Sequence, residues 1–274
     1  MSLKSIARET ISILDQGHYT APSGAVRHIG EAQAAAEAGT TLYRPEQLPR
    51  LLRQAGASGG PPDIQVWEGT TQACAAELLA EGVERLALLN FASARNPGGG
   101  FINGARAQEE DLARCSGLYR CLLRQPRYYQ ANRNQSSMLY TDHIIYSPDV
   151  PFFRVDAAAL LEEPFLASVI TAPAPNAGQF HRKRRGRGLR VEETLRHRAR
   201  CVLAVAREHG HRALLLGAWG CGVFRNDPAT VADAFGAWLE GPEFGGDFDR
   251  VVFGVYDPRR PQANLKAFQA RFRG

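Results

Sequence analysis

The feature that most constrains this chain is a series of short, almost continuously apolar runs separated by helical stripes. Leu86 to Phe91, Ala167 to Thr171, Ala213 to Leu216 and Val251 to Val255 are too short for buried helices. Runs of that length read as strands covered on both faces. Ile64 to Trp67 and Ile144 to Tyr146 read as two more strands. Thr70 or Thr71 supplies an N-cap for a helix over Ala73 to Leu79. Leu195, Ala199, Val202, Leu203 and Ala206 form a later apolar stripe at helical spacing. Asp227-Pro228 marks a helix start with proline at the first helical position, and Val231, Phe235, Trp238 and Leu239 give that helix its buried side. A last helix carries Leu265, Phe268 and Phe272. Such alternation predicts an α/β fold, a three-layer α/β/α sandwich over a largely parallel sheet.

The N-terminal part follows a different pattern. Ile6 to Leu14 reads as a helix and Gly30 to Gly39 as an alanine-rich second one. Ser58-Gly59-Gly60-Pro61-Pro62 then breaks regular structure. The expected organisation is an N-terminal helical extension over 1–60 and a catalytic domain over 61–274. No stretch reaches the length of a membrane span, and MSLKSIARETI lacks an apolar signal core. No membrane partner is therefore expected. The five cysteines are odd in number and show no CxxC or Cys/His spacing. That pattern favours a reducing cytoplasm and argues against a structural zinc. A net charge of +5 favours an anionic partner, and it suits a polyanionic polymer as well as nucleic acid.

Chemistry concentrates between Asn90 and Glu110, NFASARNPGGGFINGARAQEE. A strand delivers a triple glycine, Gly98-Gly99-Gly100, and then a pair of carboxylates at a helix start. Glycines let backbone amides approach a phosphate or ribose closely. Glu109 and Glu110 supply acid and base groups a few residues on. The helix after them places Leu112, Cys115, Leu118, Tyr119, Leu122 and Leu123 on one buried face, which fixes the pair near its N-terminal end. A second glycine-rich stretch, Gly217 to Phe224, follows a strand and precedes the Pro228 helix, a placement suited to wrapping a diphosphate.

GGG, seven residues, then QEE resembles the signature of poly(ADP-ribose) glycohydrolases, which are built on a macrodomain. NFASA and PGGGF resemble the compact bacterial-type branch. YSPDVPFFR (Tyr146–Arg154), TAPAPNAG (Thr171–Gly178) and LGAWGCGVFRNDP (Leu216–Pro228) follow in the expected order, so the likeness runs from about Leu42 to the C-terminus. The resemblance implies a macrodomain-like sandwich over a mixed, largely parallel sheet. It also implies a metal-free glycosidase that needs no cofactor and releases ADP-ribose from poly(ADP-ribose), mainly in exo mode. ADP-ribosylated proteins would be its partners, no specific nucleic acid is expected, and the family's chemistry belongs to the DNA damage response.

By the same resemblance Glu110 is the acid/base and Glu109 holds the target ribose hydroxyls. Adjacent helical residues point about 100° apart, so the two glutamates cannot share one task. Splitting a ribose–ribose bond passes through an oxocarbenium-like state and needs both an acid and a base. If one carboxylate serves both steps, water enters on the face the leaving group left, and the anomeric configuration is retained. A helix N-terminus favours the carboxylate anion. Glu110 is therefore expected to act as an acid mainly in the substrate complex, where the diphosphate's charge favours the proton.

Asn96 is a ribose ligand by family role, or a turn residue before Pro97. Phe101 packs on the substrate or anchors the loop. Gln108 suits ribose hydroxyls or orients the glutamates. Gly220, Cys221, Gly222 and Val223 resemble the diphosphate loop, with Phe224 set against the distal ribose and Cys221 a small loop residue rather than a nucleophile. Tyr256 lies where macrodomains often place an adenosine contact, and Glu68 or Thr70 is a candidate for the adenine amino group. Thr171 to Asn176 either lines the nucleotide pocket or shapes a loop. The run His181-Arg182-Lys183-Arg184-Arg185-Gly186-Arg187 is a solvated segment or a steering patch for polymer phosphates.

Overall fold

The alternation of apolar runs and stripes resolves into nine strands and eleven α-helices in a computed structural model that describes residues 2–156, 159–183 and 188–273. Helix α1 (Leu3–Gln16) precedes a hairpin of β1 (His18–Thr20) and β2 (Val26–His28). α2 (Gly30–Gly39), β3 (Thr41–Tyr43) and α3 (Leu48–Leu52) follow. Then come β4 (Asp63–Glu68), α4 (Thr71–Ala80), β5 (Leu86–Phe91), α5 (Gln108–Cys115), α6 (Leu118–Leu123) and α7 (Pro126–Arg133). β6 (Ile144–Arg154) and β7 (Leu160–Ala172) lead to α8 (Ala177–Lys183) and α9 (Gly188–Glu208). β8 (Ala213–Gly217), α10 (Pro228–Leu239), β9 (Arg250–Val255) and α11 (Ala263–Phe272) complete the chain.

Seven strands form the main sheet in the order β3-β6-β7-β5-β8-β9-β4. The run from β7 to β4 is parallel throughout, while β6 is antiparallel to both of its neighbours. Because β5 carries an apolar residue at nearly every position, it feeds two cores at once. Leu86 and Leu88 point into a cluster with α4, α5, α6 and α7, and Ala87 and Leu89 into one with α9, α10 and α11. Leu88 is fully buried, worth about 1.5–3 kcal/mol for such a side chain. It sits opposite Val169 of β7 and Leu215 of β8, a register that brings the carboxyl ends of β5 and β8 side by side. The three-layer sandwich over a mixed, largely parallel sheet is as expected.

Four details differ from expectation. The main sheet begins upstream of residue 60, because Thr41–Tyr43 pairs with Tyr146–Ile144 and Leu48 and Leu51 join the core. A three-residue strand is too short to show a period in sequence. β6 and β7 run far beyond Ile144–Tyr146 and Ala167–Thr171, through Pro148, Pro151 and Pro164, with register shifts near the prolines. The helix after the glutamates is not continuous. Ser116 is extended and bridges to Phe152, which splits α5 from α6 and leaves Leu123 43% exposed. Finally, α1 is part of the catalytic layer: Thr10 Oγ1 donates to Arg114 O at 2.7 Å, and Glu9 pairs with buried Arg154 at 2.7 Å.

Candidate active site

The loop leaving β5 folds around its glycines. Gly99 N donates to Asn96 O at 3.0 Å and Phe101 N to Gly98 O at 3.2 Å, closing successive turns into a short 3-10 segment over Phe101–Asn103. Gly98 and Gly99 take φ of +65° and +58°, where a side chain is strained. Gly99 is constrained twice, since a Cβ there would stand 2.4 Å from Glu110 Oε1. Buried Arg114 steadies the return, donating to Ala105 O at 2.9 Å while paired with Asp111 at 2.6 Å.

The first residues of α5 then occupy three different environments. Gln108 is tied to the sheet: its Nε2 donates to Leu89 O and Thr71 Oγ1, and its Oε1 accepts from Phe91 N. With both kinds of partner engaged, it orients the helix start. Glu109 is 2% exposed, and its two oxygens accept from Ser93 N at 2.6 Å and Asn90 Nδ2 at 3.3 Å. Burial pushes its carboxyl up to about 8, helped by nearby Glu110 and opposed by the Ser93, Asn90 and Gly98 hydrogen bonds. Glu110 is half-buried, reaches the cleft and accepts from Gly100 N at 3.0 Å.

The loop leaving β8 forms the opposite wall. Trp219 is buried and donates from Nε1 to Ala172 O at 3.1 Å, anchoring the turn. Gly220 has φ +71°, and a Cβ there would lie 2.3 Å from Asn226 Nδ2. Beyond it the amides of Gly222, Val223 and Phe224 donate to no acceptor among the described residues. Successive free amides in a turn form a concavity that takes anions. Val223 is 78% exposed, and Phe224 lies 5.9 Å from the ring of Tyr140.

Between the walls lies a cleft of about 510 Å³. It collects most of the expected residues: Asn96, Gly99, Gly100, Gln108, Glu109, Glu110, Gly220, Gly222, Val223, Phe224 and Tyr256. The Asn96 side chain meets no partner among the described residues. The lining also includes Thr70, Thr71, Gln72 and Asn264, and Tyr256 there is 63% exposed.

Three expected ligands are not in the cleft. Phe101 is 1% exposed and packs with Ala7, Ala113 and Tyr119, so it anchors the loop. Gly98 is buried against the rings of Phe101 and Tyr119. The Cys221 side chain turns to the core and its Sγ lies 3.9 Å from Trp219 O, with burial raising its thiol far above the ordinary range. Thr171 to Asn176 is buried scaffold: Ala172, Pro173 and Pro175 carbonyls accept from Trp219, Arg198 and Asn226. Glu68 lies outside the cleft and accepts from Gln262 Nε2. Of the basic run, His181 and Arg182 are exposed, and Arg184 to Arg187 lie outside the described residues.

Sequence reasoning overlooked Asn90 and Ser93, the partners of Glu109. An asparagine inside an otherwise apolar strand is the available signal, because a buried amide needs a partner. Arg106 at the cleft wall was also missed. Among the described residues no group of three His, Cys, Asp or Glu could hold a metal.

Residues 7–155 match the family described as "Microbial-type PARG, catalytic domain". The poly(ADP-ribose) glycohydrolase of Thermomonospora curvata, in its crystal structure with the inhibitor ADP-HPD, is 49% identical, with a TM-score of 0.93 over 98% of this chain and 99% of that one. The enzyme of Deinococcus radiodurans in complex with ADP-ribose is also 49% identical, with a TM-score of 0.80 over 87% of this chain and 96% of that one. A comparison with curated protein sequences gives no match.

Proposed function

The chain belongs to the microbial-type poly(ADP-ribose) glycohydrolases, and from that premise we propose that it hydrolyses the ribose–ribose O-glycosidic bond at the end of poly(ADP-ribose), releasing ADP-ribose. The observation that carries this reading is one cleft that holds a free-amide turn on one wall and two unlike glutamates on the other. The D. radiodurans relative holds ADP-ribose, and a cleft of about 510 Å³ suits one such unit. We place the diphosphate at the free amides of Gly222 to Phe224. The adenosine lies towards Thr70, Gln72 and Tyr256, and the scissile ribose beside Asn96, Phe224 and Glu110.

Glu109, whose carboxyl is pushed by burial towards the neutral form, donates to a ribose hydroxyl and fixes the ring. Glu110 gives its proton to the leaving ribose oxygen as the C–O bond breaks and an oxocarbenium ion forms. As a carboxylate it then takes a proton from water, whose oxygen adds to the anomeric carbon on the same face. The electrons of the broken bond stay with the leaving oxygen, and Glu110 ends protonated as it began. Retention of configuration follows. The hydrogen bond from Gly100 N holds Glu110 in place before the substrate arrives.

The family likeness supports metal-free chemistry and exo cleavage, one terminal unit filling the cleft. A reducing cytoplasm remains the proposed location, on the odd cysteine count and the lack of CxxC spacing. The test is release of ADP-ribose from poly(ADP-ribosyl)ated protein by wild type and Glu110→Gln, with and without chelator. Chelator-resistant release that falls at least about 10³-fold in the variant, with ADP-ribose binding kept, supports the assignment. NMR of the first product reads the anomer. Tight ADP-ribose binding by a wild type that releases nothing would make this a binding protein instead.

A further inference from the structure

Most of the reaction's substrate lies outside the cleft: one unit is bound and the rest of the polymer leaves past the scissile bond. That exit is marked by Glu110, Asn96 and Phe224, and arginines stand on both sides of it. Beside Asn96, Arg95 and Arg133 are exposed neighbours, with Arg133 Nη1 donating to Arg95 O at 2.6 Å. Beside Phe224, exposed Arg225 lies with its Cδ 3.1 Å from where a Cβ on Gly178 would stand. Arg182 Nε donates to Gly178 O at 3.3 Å, and Gly178 N donates to Phe224 O at 2.9 Å. The segment between the two pairs links them through the chain. The segment after Arg133 brings Tyr140 against Phe224, and Met138 O accepts from Asn176 N at the start of α8.

Two features bear on these arginines. None of the four meets a carboxylate among the described residues, a state they share with eleven other described arginines, whereas twelve are paired; what sets these four apart is their place beside Asn96 and Phe224. Arg225 also adopts φ +57°, a backbone region that non-glycine residues seldom occupy and that tends to persist at binding sites. Guanidinium groups engage phosphate oxygens in pairs, and unpaired ones keep that capacity.

We propose that Arg95, Arg133, Arg182 and Arg225 form a second subsite, on the leaving side of the scissile bond, for the diphosphate of the penultimate ADP-ribose unit. The proposal rests on the hydrolase reading above, because that reading places the departing chain at this rim. The subsite holds polymer without touching the terminal unit, so it lowers KM for polymer while leaving ADP-ribose affinity alone.

The experiment uses the full chain and two double variants, Arg95→Gln with Arg133→Gln, and Arg182→Gln with Arg225→Gln. Rates of ADP-ribose release are measured against polymer concentration at two salt concentrations, and the Kd for free ADP-ribose is measured for each protein. Each double variant is expected to raise KM by about tenfold with kcat kept and ADP-ribose Kd unchanged. The slope of log KM against log salt should fall by about 0.7 for each phosphate that the variant no longer neutralises. Unchanged KM and slope overturn the subsite, as does a fall in kcat alone. The same substitutions in the Glu110→Gln background give polymer affinity directly, beside single-stranded DNA of matched charge. Equal losses for DNA and polymer overturn the proposal in favour of general polyanion attraction. If wild type releases no ADP-ribose, the hydrolase reading fails, and selective loss of polymer binding in this background still upholds the site.

Discussion

Two neighbouring glutamates with the same side chain do different work because their surroundings differ. Glu109 lines the cleft but is 2% exposed, held against the strand by the Ser93 amide and the Asn90 side chain. Glu110 faces the cleft and a single glycine amide. Burial raises the Glu109 carboxyl from 4.5 to about 8, so the folded state holds a proton that the unfolded chain releases. The associated stability is complete below about pH 4.5 and is lost as pH rises towards 8, with a slope set by about one proton per molecule. Glu109→Gln, which carries no titrating proton, should flatten that decline. Urea unfolding at several pH values between 5 and 8 measures it, and a slope equal in variant and wild type would refute a neutral Glu109. Much of this site was legible in the chain, since GGG and QEE lie within one loop. Asn90 and Ser93 were not, because each reads alone as strand or turn and acquires meaning only when α5 folds back on them.

At the scale of elements, legibility followed the length and purity of the pattern. α2 and β5 fall where the alanine-rich and apolar runs place them, and Asp227 and Thr70 cap their helices as their side chains suggest. β3 is too short for periodicity, β6 and β7 cross prolines, and the break at Ser116 depends on a bridge to Phe152 more than thirty positions away. The least legible element was α1, whose amphipathic pattern marks a buried face but not what it covers. It covers the catalytic loop: Ala7 packs on Phe101 and Ala113, and Thr10 Oγ1 donates to Arg114 O while accepting from Arg154 Nη1 at 3.0 Å. Thr10→Val keeps the shape and removes the hydroxyl. It should cost about 1–3 kcal/mol, the range for a buried hydrogen-bond partner left unmatched. Amide exchange at residues 101–105 should quicken in the same variant. An unchanged urea midpoint would show that α1 merely lies beside the loop.

The whole molecule places its chemistry where two parallel strands end together. β5 and β8 are hydrogen-bonded neighbours in the middle of the sheet, and each releases a glycine loop from its carboxyl end. Open parallel sheets bind ligands in that position because the strand ends present loops and helix starts to one crevice. The glutamates come from one loop and the free amides from the other, so neither loop alone has a complete site. A ligand spanning both joins two segments that the protein connects through β5, β8 and the Ala172 carbonyl, which accepts from Ala92 N at 3.3 Å and from Trp219 Nε1 at 3.1 Å. ADP-ribose at about a hundred times its Kd should stabilise the fold by about 2.7 kcal/mol. That corresponds to a rise of roughly 5–11 °C in Tm for a chain of this size. Hydrogen exchange should then slow together at residues 98–110 and 218–224, with the distant β1–β2 hairpin unchanged. Protection of one loop without the other would mean that the cleft does not act as a single site, and the diphosphate placement would have to be abandoned.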